Sequence, residues 1–240
     1  MTDHDPPSPA AISDLIQLGD YRYQVSRMYG EVRDLGVGEH AWEHWRAART
    51  ALLLTHPESP LVDRETFDEE AMQYFDYDPS WHLVASVEPL SPTDNVTQVQ
   101  GGSSLFSQVG WVLFERANEH HRLALFSLDA YGGGLFLPFR DTTNGITTYG
   151  AGRYLLDGAK SADLGSPGPN ELLLDFNFSY HPSCVWDPQW PCPLAPPVSH
   201  LTIAVEAGEK KPRVPDTPRH GARCERCDAW MPDGAIHDCC

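Results

Sequence analysis

Between Glu39 and Leu54 apolar side chains recur at three- and four-residue spacing: Trp42, Trp45, Ala48 and Leu52 share one face, while Arg46 and Arg49 fall on another. This is the period of an amphipathic helix packed on a core. His56-Pro57 marks its end, because the residue before a proline is pushed out of the helical region. Upstream, Ile12, Leu15, Ile16 and Leu18 predict a short helix after a start rich in proline and alanine. Downstream, residues 59–81 mix turn formers with aromatic side chains and predict an irregular wrap with a turn of helix.

At Trp81 the period changes. Short runs of β-branched, aromatic and aliphatic residues recur between turn signals at 82–88, 96–100, 110–116, 122–129, 134–139, 146–150, 153–156, 171–178 and 201–208. The separators Gln100-Gly101-Gly102 and Asn118-Glu119-His120 suit hairpins rather than helical crossovers. The fold class predicted is therefore mainly β: an antiparallel β sandwich or barrel with N-terminal helices and a small C-terminal zinc-binding hairpin. Residues 1–38 form a partly helical extension, 39–208 the main β-rich domain, 209–223 a charged linker with three prolines, and 224–240 a separate unit.

Composition narrows the partners. An apolar fraction of 41% supplies a core, which excludes disorder throughout. The formal charge of -17 excludes nucleic acid as a main partner, since phosphate binding needs clustered Lys and Arg. The first residues, MTDHDPPSPAA, lack the basic and apolar regions of a signal peptide. The longest aliphatic cluster, Ala51 to Leu54, falls far short of the roughly 20 residues a bilayer span needs, so no membrane partner is expected. Six cysteines without a secretory signal point to reduced thiols or metal ligands and a cytoplasmic location.

Three segments carry a family resemblance. FLPFRDTTNGITTYGAGRYLL at 136–156, LDFNFSYHPSCVWDPQWPCPLAPP at 174–197 and LTIAVEAGE at 201–209 resemble the signature of the bacterial and archaeal domain-of-unknown-function family numbered 1684. WEHWRAAR at 42–49, Ser59-Pro60-Leu61 and the Phe75 to Trp81 stretch match more loosely, so the resemblance spans about residues 40–209. It implies kinship without implying a reaction. Two departures stand out: Tyr180-His181-Pro182 where the family has Tyr-Asn-Pro, and Ser199-His200 where it has Glu-Asn.

Within the first segment, FRDTTNGITTYGAGRY reads as strand, turn and strand, with Asn144-Gly145 supplying the positive φ angles of a tight hairpin. Arg140 and Arg153 would lie on its two arms, and Asp175, Asn177 and Tyr180 on the next strand and its exit. One sheet end would then gather guanidinium groups, carboxylates, an amide and phenols. Arg140, Arg153, Asn177 and Tyr180 are the candidate grip on a small anionic ligand. Asp141, Tyr149 and Asp175 are the candidate proton-transfer groups, should the site be catalytic. Arg-Asp pairs beside turns also serve simply to hold loops together, and that alternative stays open.

Cys184 and Cys192, eight positions apart around Trp186 and Trp190, suit a reactive thiol with a resolving partner, a zinc set with His181 and His200, or two buried small hydrophobes. His40-Ala-Trp-Glu43-His44 matches an inverted zinc-protease pattern, but the helix must also bury Trp42 and Trp45 and no further ligand is identifiable.

The most specific chemical signal is C-terminal. Cys224-Glu-Arg-Cys227 has the spacing of a zinc knuckle, His237-Asp-Cys-Cys240 repeats the gap, and Pro232-Asp233-Gly234 between them is a turn signal. Cys224, Cys227, His237 and Cys240 are the expected ligands of one structural zinc ion, with Cys239 a spare. So short a unit would draw its folding free energy from the metal. Two function classes follow: a small-molecule binding protein or enzyme built on the Arg/Asp/Tyr cluster, or an adaptor whose zinc tail presents Trp230 and Met231 to a protein partner.

Overall fold

The computed structural model describes residues 9–36, 38–61, 64–187, 189–213, 222–223 and 230–231. Two helices come first. Helix α1 (Pro9–Leu35) is 27 residues long, far longer than the short helix expected. What extends it is a second stripe, Val25, Met28, Tyr29 and Val32, at i, i+3, i+4 and i+7, all buried. Its first turns leave Ile12, Leu15 and Ile16 exposed. Helix α2 (Glu39–Thr55) buries Trp42, Trp45, Arg49 and Leu52 and stops before His56-Pro57 as its sequence dictates.

The sheet comprises β1 (His82–Pro89), β2 (Gln98–Gly101), β3 (Ser104–Arg116), β4 (Glu119–Leu128), β5 (Leu135–Phe139), β6 (Arg153–Asp157) and β7 (Glu171–Asp175). All pairings are antiparallel, in the order β6-β5-β4-β3-β1-β7, with β2 also on β3. Ala117 and Asn118, with φ of 54° and 62°, make the two-residue turn from β3 to β4. Past β7 the chain swings round to β6, where Tyr154 and Tyr180 exchange N–H···O bonds of 2.8 and 3.1 Å. The architecture is a curled antiparallel half-barrel rather than a two-sheet sandwich.

Strand β4 shows how the period of two builds two cores. Leu123 and Leu125 face the inside of the curl, where Phe176 packs against Trp81, Phe114 and Phe139 at ring separations of 5.1, 5.5 and 5.3 Å. Ala124 and Phe126 face the other way and join Trp45, Tyr29 and Phe178 under the helices. Fully burying each such aliphatic or aromatic side chain contributes about 1.5–3 kcal/mol, so the helices are integral to the domain.

Two expected strands do not form. Residues 146–150 belong to a folded loop between β5 and β6, and the Asn144 side chain accepts from Asp141 N–H and donates to the Tyr149 carbonyl. The tight two-residue hairpin expected at Asn144-Gly145 is thus replaced by a longer connection. Residues 201–208 bend at 202–203 and 207–208 and lie outside the ladder, and side chains take backbone groups that a neighbouring strand would have used. Packing continues past the boundary expected at 208: Glu209 is buried, and Lys210, Lys211 and Arg213 donate N–H bonds to Gln73, Thr147 and Ala71.

Farther on, β8 (Ala222–Arg223) pairs with β9 (Trp230–Met231). The intervening Cys224 and Cys227, and His237, Cys239 and Cys240 beyond, lie outside the described residues. Among the described helices none is long and apolar enough to cross a membrane.

Candidate functional site

The residues singled out from sequence separate into distinct clusters. In the first, Arg153 opens β6 fully buried, and its Nη2 donates to Asp141 Oδ2 at 2.9 Å and to the Val205 carbonyl at 2.7 Å. Its Nη1 donates to the Ala207 carbonyl. Asp141 Oδ1 accepts from Thr143 N–H and Val205 N–H at 2.8 and 3.2 Å. Burial lowers the Arg153 pKa while the Asp141 carboxylate opposes it. The pair clamps residues 205–207 and the β5–β6 loop to the domain. Gly152, at φ +97°, permits the approach, since a Cβ there would lie 2.5 Å from the Phe139 carbonyl oxygen.

A second cluster surrounds Asp175 at the end of β7. Its carboxylate accepts from Asn177 N–H at 2.9 Å, Asn177 Nδ2 at 2.7 Å and the half-buried His82 Nδ1 at 3.2 Å. Burial pushes its pKa up, against these bonds. Asn177 also bonds both backbone groups of Asp78, fixing the chain entering β1. The half-buried Arg140 exchanges backbone hydrogen bonds with Ser199 and Leu201, and the buried Tyr149 hydroxyl donates to the Cys184 carbonyl at 3.4 Å. Side-chain hydrogen bonds link residues within the two carboxylate clusters, not across them.

An aromatic cavity lies elsewhere. About 230 Å³ is bounded by α1, the end of α2, the turn after β6 and the loop 180–190. Six aromatic rings line it: Tyr21 and Tyr29 from α1, Tyr154 from β6, and Tyr180, Trp186 and Trp190. Arg22, Arg49 and Lys160 supply positive charge, and Glu58 is the acidic residue on the wall. Of the ligand-binding residues expected from sequence, Tyr180 lines this cavity, while Arg140, Arg153 and Asn177 do not. The sequence signal for the site was the stripe of α1, whose Val25 and Tyr29 reach it.

Charges in the wall are partly engaged. Arg49 Nε donates to Glu209 Oε1 at 2.5 Å and Nη2 to Oε2 at 3.4 Å, leaving Nη1 outside that pair, and the guanidinium stacks 4.5 Å from the Tyr180 ring centroid. Burial works against the Arg49 charge, and Glu209 outweighs it. Half-exposed Lys160 lies 2.9 Å from Asp157. Three buried residues on the wall carry polar atoms with no hydrogen-bond partner among the described residues: the Tyr180 hydroxyl, the Trp186 indole N–H and both ring nitrogens of His181. Burial raises the Tyr180 pKa well above the ordinary tyrosine value, so the hydroxyl is a neutral donor. His181, also on the wall, is pulled down to about 4 by burial and is neutral at physiological pH.

Among the described residues no three His, Cys, Asp or Glu side chains stand close enough together to hold a metal ion. His181, Cys184, Cys192 and His200 are not gathered into such a group. On α2, His44 Nε2 lies 2.8 Å from Glu31, and His40 and Glu43 are exposed, so the zinc-protease pattern is surface chemistry.

A curled β half-barrel roofed by two helices, with an aromatic cavity between the layers, defines the class of protein. The chain belongs to the family described as "Protein of unknown function (DUF1684)", whose model matches residues 66–210. The match begins well after residue 40, so both helices precede it. The chain is also similar to the solution NMR structure of an uncharacterized protein from gene locus rrnAC0354 of Haloarcula marismortui. That similarity has 29% identity and a TM-score of 0.53, covering 72% of this chain and 93% of the other. No curated protein matches the chain.

Proposed function

We propose that the cavity under α1 binds a small molecule with an apolar, preferably aromatic, body and one anionic group. The observation that carries this is the pair of unpartnered buried donors, Tyr180 Oη and Trp186 Nε1, on the wall of a ring-lined cavity. A buried donor without a partner costs about 1–3 kcal/mol, and two in one cavity are a poor arrangement for packing alone. Exposed Arg22 at the rim and Lys160, which stays half-exposed beside Asp157, are placed to meet an anionic group, while Arg49 is already paired with Glu209. At about 230 Å³ the space is below the roughly 300–1,000 Å³ of sites for drug-sized ligands, which suits a molecule with one ring.

Thermal unfolding with a panel of phenylacetate, indole-3-acetate, indole and succinate tests this. Saturable stabilisation by the aromatic acids, reaching about 2.7 kcal/mol at a hundred times Kd, is expected, with weaker effects from indole and succinate. No stabilisation by any of the four would sink the proposal.

A second reading concerns the tail. We infer that Cys224, Cys227, His237 and Cys240 bind one structural zinc ion and that this unit contacts a protein partner. The observation favouring it is the β8–β9 ladder, which pairs the chain on either side of the Cys224–Cys227 segment, the arrangement a zinc knuckle requires.

A further inference from the structure

Cys184 and Cys192 meet beside the cavity. Cys184 sits in a single 3-10 turn after Pro182, and Cys192 lies between Pro191 and Pro193. The Cys184 N–H donates to Cys192 Sγ at 3.3 Å. Both thiols are free. The segment joining them is anchored at several points: Trp190 Nε1 donates to the Pro60 carbonyl at 3.0 Å, Tyr154 Oη to the Pro193 carbonyl at 2.5 Å, and Tyr149 Oη contacts Cys184 Sγ at 3.9 Å. The fold thus holds Cys192 Sγ against the backbone of Cys184.

From this geometry we propose that Cys184 and Cys192 are a redox-active dithiol that a hydroperoxide converts to an intramolecular disulfide, with Cys192 the attacking thiol and Cys184 the resolving one. The two cysteines differ as those roles require. Cys184 is buried and Cys192 is half-buried, so an oxidant reaches Cys192 first. The Cys184 thiol donates to Cys192, which holds Cys192 down to about 7 against burial, with Lys160 assisting; the same bond pushes Cys184 up. The lowered pKa favours the reactive thiolate at Cys192, and the raised one keeps the proton on Cys184.

In the first step the Cys192 thiolate attacks one peroxide oxygen. The O–O bond breaks, and the departing alkoxide or hydroxide takes a proton from solvent, leaving a sulfenic acid. In the second step the Cys184 sulfur attacks the Cys192 sulfur. The S–O bond breaks, and hydroxide leaves with the Cys184 proton as water. Two thiols lose two electrons and two protons, and the peroxide is reduced to an alcohol, or to water, plus one water. No cavity ligand is needed.

The test uses the reduced full-length chain, equimolar hydrogen peroxide, alkylation of the remaining thiols, and peptide mapping that resolves each of the six cysteines. The expected product is a Cys184–Cys192 linked peptide two mass units lighter, reversed by dithiothreitol. Before oxidation Cys192 should alkylate at least about tenfold faster than Cys184. In Cys184→Ser, dimedone should label Cys192. The proposal is overturned if both cysteines are recovered singly alkylated after peroxide, or if either is bridged to a tail cysteine instead. The unmodified chain alone decides this, so misfolding of the variant would not rescue the proposal.

Discussion

Arg49 on α2 and Glu209 beyond β7 form a buried ion pair, Nε to Oε1 at 2.5 Å, between residues 160 positions apart. Glu209 also accepts the His181 N–H at 2.6 Å, so one carboxylate ties a helix, the exit from β7 and the end of the packed chain.

Removing one charge of that pair leaves the other uncompensated in the interior. Glu209→Gln is expected to cost about 3–5 kcal/mol in urea unfolding. Adding Arg49→Met should recover part of that loss, since the stranded guanidinium goes with it. Additive losses in the double variant would show that the pair is not coupled.

Arg153→Met is expected to release residues 205–209 from the half-barrel. Amide exchange at Val205 and Glu209 should accelerate by more than exchange in β3 and β4, with a global loss of several kcal/mol because Asp141 is left buried without its cation. Uniform acceleration across the sheet would contradict a local clamp.

Acid should weaken the fold through His181. Its folded pKa, about 4, lies below the ordinary 6.5, so the unfolded chain binds the proton more readily. Stability from this residue is complete above pH 6.5 and is lost as pH falls toward 4, by about 3 kcal/mol. Asp175 acts in the opposite direction: its raised pKa contributes stability below 3.8 that is lost as pH rises through the folded value. His181→Asn, which removes the titrating group, should flatten the slope between pH 6.5 and 4 in a series of urea titrations.

Tyr180→Phe separates stability from binding. Deleting an unpartnered hydroxyl should leave the ligand-free protein as stable or up to about 1 kcal/mol more so, while reducing indole-3-acetate stabilisation. Intact stabilisation by that acid would remove Tyr180 from the site.

For the tail, elemental analysis of the full chain should give one zinc per molecule, lost on truncation after Arg213. Truncating there preserves the backbone bonds of residues 209–213. Zinc retained by the truncated protein would contradict the tail site.

Much of the fold was legible because it rests on local periods. The Trp42 and Trp45 face, the Pro57 stop and the alternation in β4 follow from spacing alone. The long reach of α1 was legible in principle from Val25, Met28, Tyr29 and Val32, a stripe overshadowed by the apolar cluster at Ile12–Leu18 that stays exposed. Residues 201–208 have strand composition, but Arg153 and Asp141 take their backbone groups, and such competition between side chain and ladder leaves no trace in a local pattern. The candidate site was harder still. Sequence marks Arg140, Arg153 and Asp175 as charged and clustered, yet whether a guanidinium grips a ligand or its own backbone depends on contacts between residues far apart along the chain. The cavity arises where α1, α2 and loop 180–190 converge, and no segment of the sequence announces that meeting.

The closure by residues 205–209 also bears on how the molecule matures. During synthesis Arg49 emerges well before Glu209, its counter-charge, while Arg153 follows Asp141 but precedes the Val205 and Ala207 carbonyls that it holds. Native closure of the half-barrel is therefore a long-range event, in which residues 205–209 join segments far apart in the sequence.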